Sequence, residues 1–209
     1  MNETKNLWDS HYLKQKSKLS FPDENLVRML AKLPKKENAI ALDFGTGSGR
    51  HIPLLEFFEF STEACDYSKT AIEEIQETFP KTKSHLISDT PYSELKSESY
   101  DVIVSWGVMH YNSFPVAQKM MEETFRILKK DGYLLGSIRK DTDTHLGIQK
   151  GKEITLEDLK GGYAELYSKE KLLELLSPFS EIALGFSERT PLGKLEQRIS
   201  HWFFQAKKL

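Results

Sequence analysis

The chain has 209 residues, of which 39% are apolar, and its 29 Lys and Arg against 31 Asp and Glu give a formal net charge of −2. This balance is typical of one folded, water-soluble domain; it argues against a disordered chain and against binding of nucleic acid through overall positive charge. Cys65 is the single cysteine, and no run of about 20 apolar residues could span a membrane. We expect a cytoplasmic protein with no membrane association, and we do not expect nucleic acid as a partner.

Short apolar runs alternate with helical patterns along the chain, which predicts β-α units stacked around a parallel sheet. A short helix over Asn25–Leu33 comes first. Strands are then predicted at Ala39–Phe44, Ser61–Cys65, Ser84–Ile87, Tyr100–Trp106, Tyr133–Ile138, Glu181–Ser187 and His201–Gln205. Seven strands with a paired end favour an α/β fold with a doubly wound sheet.

Helical patterns separate most of these strands. One helix is predicted over about Gly49–Phe58, and a second runs from Ser68, its N-cap, to Phe79. A long amphipathic helix has Val116, Met120, Met121, Phe125 and Leu128 at helical spacing, and the last helix is predicted at Ser168–Leu176. Lys129-Lys130-Asp131-Gly132 is predicted to be a turn.

Two stretches interrupt the alternation. Residues 1–36 are predicted to be a helical extension that caps a domain over residues 37–209. Residues 139–167 are polar, with four glycines, and are too long for an ordinary connection. This segment is predicted to be either a lid or binding insertion, or a mobile surface loop.

A glycine cluster, Gly45-Thr46-Gly47-Ser48-Gly49, lies directly after the first strand and before a helix. Glycine allows a tight turn and close approach of a ligand to the backbone. One residue separates the second glycine from the third. In the dinucleotide fingerprint G-x-G-x-x-G two residues separate them, and that spacing is suited to binding a pyrophosphate. The loop therefore favours a nucleoside ligand without a phosphate.

Acidic residues end the next two strands. Asp66 lies roughly 20 residues beyond the loop, where a carboxylate binds both hydroxyls of a ribose. Asp89, followed by Thr90, ends strand three and could accept a hydrogen bond from an adenine amino group. Ligands of such sheets bind outside the carboxyl ends of the strands, so these residues and Ser105 would face one crevice. Each acidic residue alone could instead be a helix N-cap.

With these residues placed, the chain resembles the class I S-adenosylmethionine-dependent methyltransferases of the small-molecule methyltransferase-domain type. Ala41–Gly49 is similar to the first motif of that family, and Ala64–Ser68 to its acidic second motif. Tyr100–Ser105 with Val108–Tyr111 is similar to the fourth-strand motif, and Arg126–Leu134 to its R-x-L-K-P-G-G segment, with Lys130 and Asp131 in place of Pro and Gly.

The resemblance implies a Rossmann-like sheet with an antiparallel strand seven between strands five and six. It also implies S-adenosylmethionine as cofactor, S-adenosylhomocysteine as product and an unidentified small molecule as acceptor, methylated on oxygen or nitrogen. No metal is expected. The cofactor contacts that it implies are Asp43, Gly45, Thr46, Gly47, Gly49, Asp66, Tyr67, Asp89, Thr90 and Ser105.

Methyl transfer from a sulfonium needs alignment above all, and it needs a base only if the acceptor must lose a proton. His110 is the candidate base, or else it orients a loop. Trp106 and Tyr111 could line the acceptor site or belong to the core. Arg139 could hold a carboxylate or phosphate of the acceptor, or form an exposed ion pair. Tyr12 could fold over the bound cofactor or simply pack.

Two other functions compete with methyl transfer. A nicotinamide-dependent oxidoreductase could use a similar sheet, although the glycine spacing disfavours it. A protein could also keep the S-adenosylmethionine site and bind without catalysis.

Overall fold

The computed structural model describes residues 19–88, 92, 94–148, 153–156 and 159–209, and its strands form one seven-stranded sheet. In chain order the strands are β1 Ile40–Phe44, β2 Ser61–Asp66, β3 Lys83–Leu86, β4 Tyr100–Trp106, β5 Leu128–Arg139, β6 Ser180–Arg189 and β7 Ile199–Lys207. Their order across the sheet is β3-β2-β1-β4-β5-β7-β6. All pairs from β3 to β5 are parallel, and β7 is antiparallel to both β5 and β6. The predicted doubly wound α/β fold with an antiparallel strand seven is confirmed.

Helices cover both faces of this sheet. They are α1 Glu24–Leu30, α2 Ile52–Phe57, α3 Lys69–Thr78, α4 Phe114–Ile127 and α5 Lys169–Leu175, with a 3₁₀ helix at Met109–Tyr111. None of the helices within the described ranges is both long and apolar enough to cross a membrane.

Each face of the sheet buries its own apolar cluster, because successive side chains of a strand point to opposite faces. Leu42 and Ile103 pack with residues of α4 and α5 on one face. Ala41, Val102 and Val104 pack with residues of α1 and α2 on the other. Burial on both faces explains why the middle of β4, Val102-Ile103-Val104, is a continuous apolar run.

The N-termini of α2 and α3 follow from local chemistry. The Ser68 hydroxyl accepts a hydrogen bond from the Ala71 amide at 3.2 Å, which confirms the predicted N-cap of α3. Pro53 lies in the first turn of α2, where its missing N–H costs nothing. The helix accordingly begins at Ile52 and not at Gly49.

Two local predictions were wrong. Val116 is 43% exposed and does not belong to the inner face of α4. The predicted turn over residues 129–132 lies within β5. These four residues form a bulge opposite the single β4 residue Asp101, and Asp131 has a φ of 63°. This bulge persists because Asp131 N–H donates to the Lys208 carbonyl and Lys208 N–H donates to the Gly132 carbonyl.

The two stretches outside the β-α alternation are packed where the structure describes them. Leu26 and Leu30 of α1 are buried in the core. In the segment after β5, Leu146 and Ile154 belong to a small apolar cluster that Tyr111 joins. The division at residues 36 and 37, and a lid or acceptor-binding role for residues 139–167, stay predictions.

Candidate active site

A cleft of about 360 Å³ opens at the carboxyl ends of the parallel strands. The glycine loop and the end of β2 form one half, and the ends of β4, β5, β6 and β7 form the other. The residues that line it are Leu19, Asp23, Asn25, Gly45, Thr46, Gly47, Ser48, Arg50, His51, Asp66, Tyr67, Trp106, Gly107, Val108, His110, Tyr111, Asn112, Ser137, Arg139, Ser187, Arg189, His201 and Phe203.

Backbone hydrogen bonds fold the glycine loop against the end of β2. The amides of Gly45 and Thr46 both donate to the Cys65 carbonyl, at 2.9 and 3.0 Å. Gly45 has a φ of 70°, and a Cβ placed on it would lie 2.5 Å from a methyl group of Val108. Only glycine therefore fits this turn beside the segment after β4.

Asp66 connects the loop to the next helix. One carboxylate oxygen accepts from the Gly47 amide at 3.0 Å, and the other accepts from the Ser68 amide at 2.9 Å. Burial raises the pKa of Asp66 to about 6, although these backbone donors favour the charged form. A backbone hydrogen bond from Tyr67 also favours the charged form. A carboxylate can accept about four hydrogen bonds, so capacity remains for a ligand in the cleft.

Three residues predicted to contact the cofactor do not line the cleft. Asp43 lies beneath the loop and accepts a hydrogen bond from the Thr46 hydroxyl at 2.7 Å. Gly49 faces α3, because a Cβ there would lie 2.5 Å from the end of Ile75. Ser105 is fully buried below the cleft. In this arrangement the three residues support the loop and β4, and their contact with the cofactor stays a prediction.

Gly45, Thr46, Gly47, Asp66 and Tyr67 are brought together at the cleft as predicted. Asp89, Thr90 and Tyr12 lie outside the described residues, so their predicted contacts with cofactor or acceptor stay predictions.

His110 lies in the 3₁₀ helix that follows β4 and is 1% exposed. Neither ring nitrogen has a hydrogen-bond partner within the described part of the chain. Burial lowers the pKa of His110 well below its ordinary value, and the nearby Arg139 and His201 lower it further. The imidazole is therefore neutral at pH 7 and carries an available lone pair.

Arg139 forms a buried ion pair and not the exposed one considered from the sequence. Its Nη1 is 2.5 Å from Oδ2 of Asp143, and the two side chains are 11% and 0% exposed. Asp143 also accepts from the amides of Leu146 and Ser200. Arg139 hydrogen-bonds Tyr111 as well, and its Nε has no partner among the described residues.

Sequence reasoning did not identify the contribution of β6 and β7. His201 lies directly opposite Arg139, and its ring centroid is 6.5 Å from that of His110. Burial, followed by the charge of Arg139, lowers the pKa of His201 to about 4. Phe203 and Arg189 also line the cleft. Alternation along β7 could have grouped His201 with Phe203, but only the pairing of β7 with β5 shows which face they share.

His51 was missed too, although it follows the glycine loop directly. Its ring lies edge-on to Trp106 with centroids 6.2 Å apart, and Nδ1 is 3.6 Å from Oδ1 of Asp43. Across the described ranges no group of three or more His, Cys, Asp or Glu side chains is arranged to hold a metal ion.

Comparison with known proteins identifies the family. A family model described as a methyltransferase domain matches residues 12–179, and the chain belongs to that family. A search of curated proteins gave no match.

Solved methyltransferases share the fold at low sequence identity. One is a SAM-dependent methyltransferase from Methanosarcina mazei (17% identity, TM-score 0.69, covering 90% of this chain and 99% of that chain). Another is a SAM-dependent methyltransferase from Archaeoglobus fulgidus (13% identity, TM-score 0.66, covering 88% of this chain and 91% of that chain). A third is magnesium protoporphyrin IX methyltransferase from Synechocystis with bound S-adenosylhomocysteine (18% identity, TM-score 0.63, covering 89% of this chain and 81% of that chain). The chain is a class I S-adenosylmethionine-dependent methyltransferase.

Proposed function

We propose that this methyltransferase acts on an oxygen or nitrogen atom of a small-molecule acceptor, with the cofactor and the acceptor side by side in the cleft. One observation carries the proposal: the glycine loop and Asp66 line the same cavity as His110, Tyr111 and Arg139. One half of the cavity has the groups suited to a nucleoside, and the other half has polar groups that the nucleoside does not need.

The residues of the first half fit S-adenosylmethionine. The Asp66 carboxylate has capacity left to accept from ribose hydroxyls, and charged acceptors bind hydroxyls more strongly than neutral ones do. Tyr67 follows it in the cleft lining and would contact the adenine face. When bound, S-adenosylmethionine supplies a methyl group on a sulfonium, which is already an activated leaving group.

The residues of the second half position the acceptor. Trp106 and Tyr111 supply flat walls, while Arg139 is fixed by Asp143. Holding two reactants in line can contribute about 7–11 kcal/mol to the lowering of a reaction barrier. Alignment is therefore the main task that we assign to these walls.

His110 would accept the proton that an acceptor oxygen, or the nitrogen of a neutral amine, loses as it takes up the methyl group. Its neutral imidazole can take a proton, and its ring nitrogens have no competing partner among the described residues. The depressed pKa makes it a weak base, so proton transfer would accompany methyl transfer and not precede it. The alternative, that His110 only orients the loop, predicts that His110→Gln, which keeps a polar side chain there, retains turnover.

Isotope transfer tests the proposal directly. Purified protein is incubated with methyl-labelled S-adenosylmethionine and a small-molecule extract, and label is followed into products. We expect label in small molecules, lost in His110→Gln while the affinity for S-adenosylhomocysteine is unchanged. Cofactor binding without transfer to any small molecule would favour a non-catalytic binding protein.

The comparisons give no support to a nicotinamide-dependent oxidoreductase. Stabilisation of the fold by NAD but not by S-adenosylhomocysteine in a thermal-shift assay would reverse that conclusion. A cytoplasmic location without a membrane or nucleic-acid partner, and chemistry without a metal, stay predictions.

A further inference from the structure

One face of the β5-β7-β6 end of the sheet forms the far wall of the cleft. Arg139, His201 and Ser187 lie opposite one another in a single row across the three strands. Residues directly opposite share a face, as do residues two apart on one strand. Arg189 therefore projects from the same face as Ser187, and all four residues line the cleft.

This wall offers hydrogen-bond donors without acceptors. Nε of Arg139 has no partner among the described residues, although its side chain is only 11% exposed. Arg189 also lines the cleft but is an exposed residue, and it makes no ion pair within the described residues. His110, opposite this wall, has both ring nitrogens buried and unpartnered in the same described part of the chain. Buried polar groups are rarely left unpaired, so the unpartnered Arg139 Nε–H and the His110 imidazole, which can both donate and accept, indicate a polar ligand in this cavity. The positive charges of Arg139 and Arg189 favour a ligand that is anionic.

Acidic side chains in this half of the cleft are already engaged. Asp143 lies behind Arg139, outside the cleft lining, and accepts from that guanidinium and two amides. Asp23 lines the cleft but accepts from the amide and side chain of Asn25 at the start of α1. The guanidinium of Arg139 is thus held in place by its carboxylate and keeps its remaining donors for a second anion.

Apolar surface adjoins the donors. Trp106, Tyr111 and Phe203 line the cleft beside Arg139. A ligand that fits these side chains has a flat apolar body and an anionic end. On the basis of the proposed function, we infer that the methyl acceptor is a small molecule with a carboxylate or phosphate group that Arg139 and Arg189 bind.

Simple probes can test the site before the acceptor is known. Benzoate carries a carboxylate on a phenyl ring, and phenyl phosphate carries a phosphate on the same kind of ring. Benzamide is the neutral control with a ring of the same size. Each is titrated into protein saturated with S-adenosylhomocysteine, and binding is followed by NMR chemical shifts. We expect the better anion to bind at least about tenfold more tightly than benzamide. The preferred anion identifies the acidic group of the acceptor.

Paired arginine variants control for charge. Arg189→Gln should weaken anion binding about tenfold and leave benzamide unaffected. Arg198→Gln removes the same charge from the same β6-β7 hairpin, but Arg198 pairs with Glu188 and does not line the cleft. It should change anion affinity by less than about twofold. Arg139→Lys keeps a positively charged partner for Asp143 but loses the planar guanidinium, so it should also weaken the binding of the anions.

Two results would overturn the inference: benzamide binding as tightly as both anions, or equal losses in Arg189→Gln and Arg198→Gln. Cofactor affinity is measured separately in each variant. If the protein failed to bind S-adenosylhomocysteine, the proposed function would fall, while the same titrations without cofactor would still decide whether the anion site exists.

Discussion

Replacing Asp66 by Asn tests the cofactor half of the cleft with a nearly isosteric change. The carboxylate accepts from the Gly47 and Ser68 amides and, in our proposal, from the ribose hydroxyls. Asn keeps one oxygen but turns an NH₂ group toward one of these donors and removes the charge. We expect the affinity for S-adenosylhomocysteine at pH 8 to fall by about 1–3 kcal/mol, or roughly 5- to 150-fold in Kd.

The pH dependence of S-adenosylhomocysteine binding gives a second, independent test of the role of Asp66. Burial raises the pKa of Asp66 from 3.8 to about 6 even though backbone amides stabilise the carboxylate, so the net destabilisation of the charged form in the absence of ligand is about 3 kcal/mol. Hydroxyl donors bind the ionised form, which is lost as the pH falls through 6. Wild-type affinity should therefore be about tenfold weaker at pH 5 than at pH 7, while Asp66→Asn should be insensitive to pH in that range.

Isothermal titration calorimetry with S-adenosylhomocysteine at pH 5, 6, 7 and 8 measures both effects. Glu63→Gln is the matched control, because it removes one carboxylate charge from the same strand outside the cleft lining, where Glu63 pairs with Lys83 and His85. It should leave affinity within about twofold of wild type. Unchanged affinity in Asp66→Asn, or a wild-type affinity that is flat from pH 8 to pH 5, would refute a ribose-binding role.

Further expectations concern stability, measured by urea unfolding. Gly49→Ala should lower the free energy of unfolding by about 1–3 kcal/mol more than Gly193→Ala does. Both glycines have a positive φ, but of the two only Gly49 lacks room for a Cβ among its described neighbours. Equal losses of stability would show that packing is not the reason for glycine at position 49. Asp143→Ala should cost about 3–5 kcal/mol because the buried Arg139 charge loses its partner, and adding Arg139→Leu should restore part of that loss. A double variant no more stable than the single one would show that Asp143 acts only through its backbone bonds.

Local sequence signals were sufficient for the fold and for grouping the glycine loop with Asp66 at one edge of the sheet. β4 was predicted with its observed ends because its β-branched residues Val102, Ile103 and Val104 favour a strand that is buried on both faces. Ser68 was identified as an N-cap because its hydroxyl competes for the first amides of the helix. Gly45 and Asp66 were found together because consecutive strands of a parallel sheet end at the same edge.

The sequence could not show which way a side chain faces at a strand end. Asp43 and Ser105 lie at the correct edge, but both are buried beneath the cleft surface. The bulge in β5 was read as a turn because its hydrogen-bond partner, Lys208, is distant in the chain. Likewise, His201 reaches the cleft only through the register of β7 with β5, which involves no local pattern.

The two halves of the cleft are therefore built by different physical means. In the cofactor half, backbone amides and the Asp66 carboxylate depend on one another, so few substitutions leave the loop intact. In the acceptor half, His201, Ser187 and Arg189 project from strands whose ladder hydrogen bonds do not involve their side chains. Such positions can change without disturbing the sheet, which explains why proteins of 13–18% identity share this fold and why the fold alone does not identify the acceptor. In our proposal the side chains of the β5-β7-β6 wall select the acceptor, so the search for it begins with them.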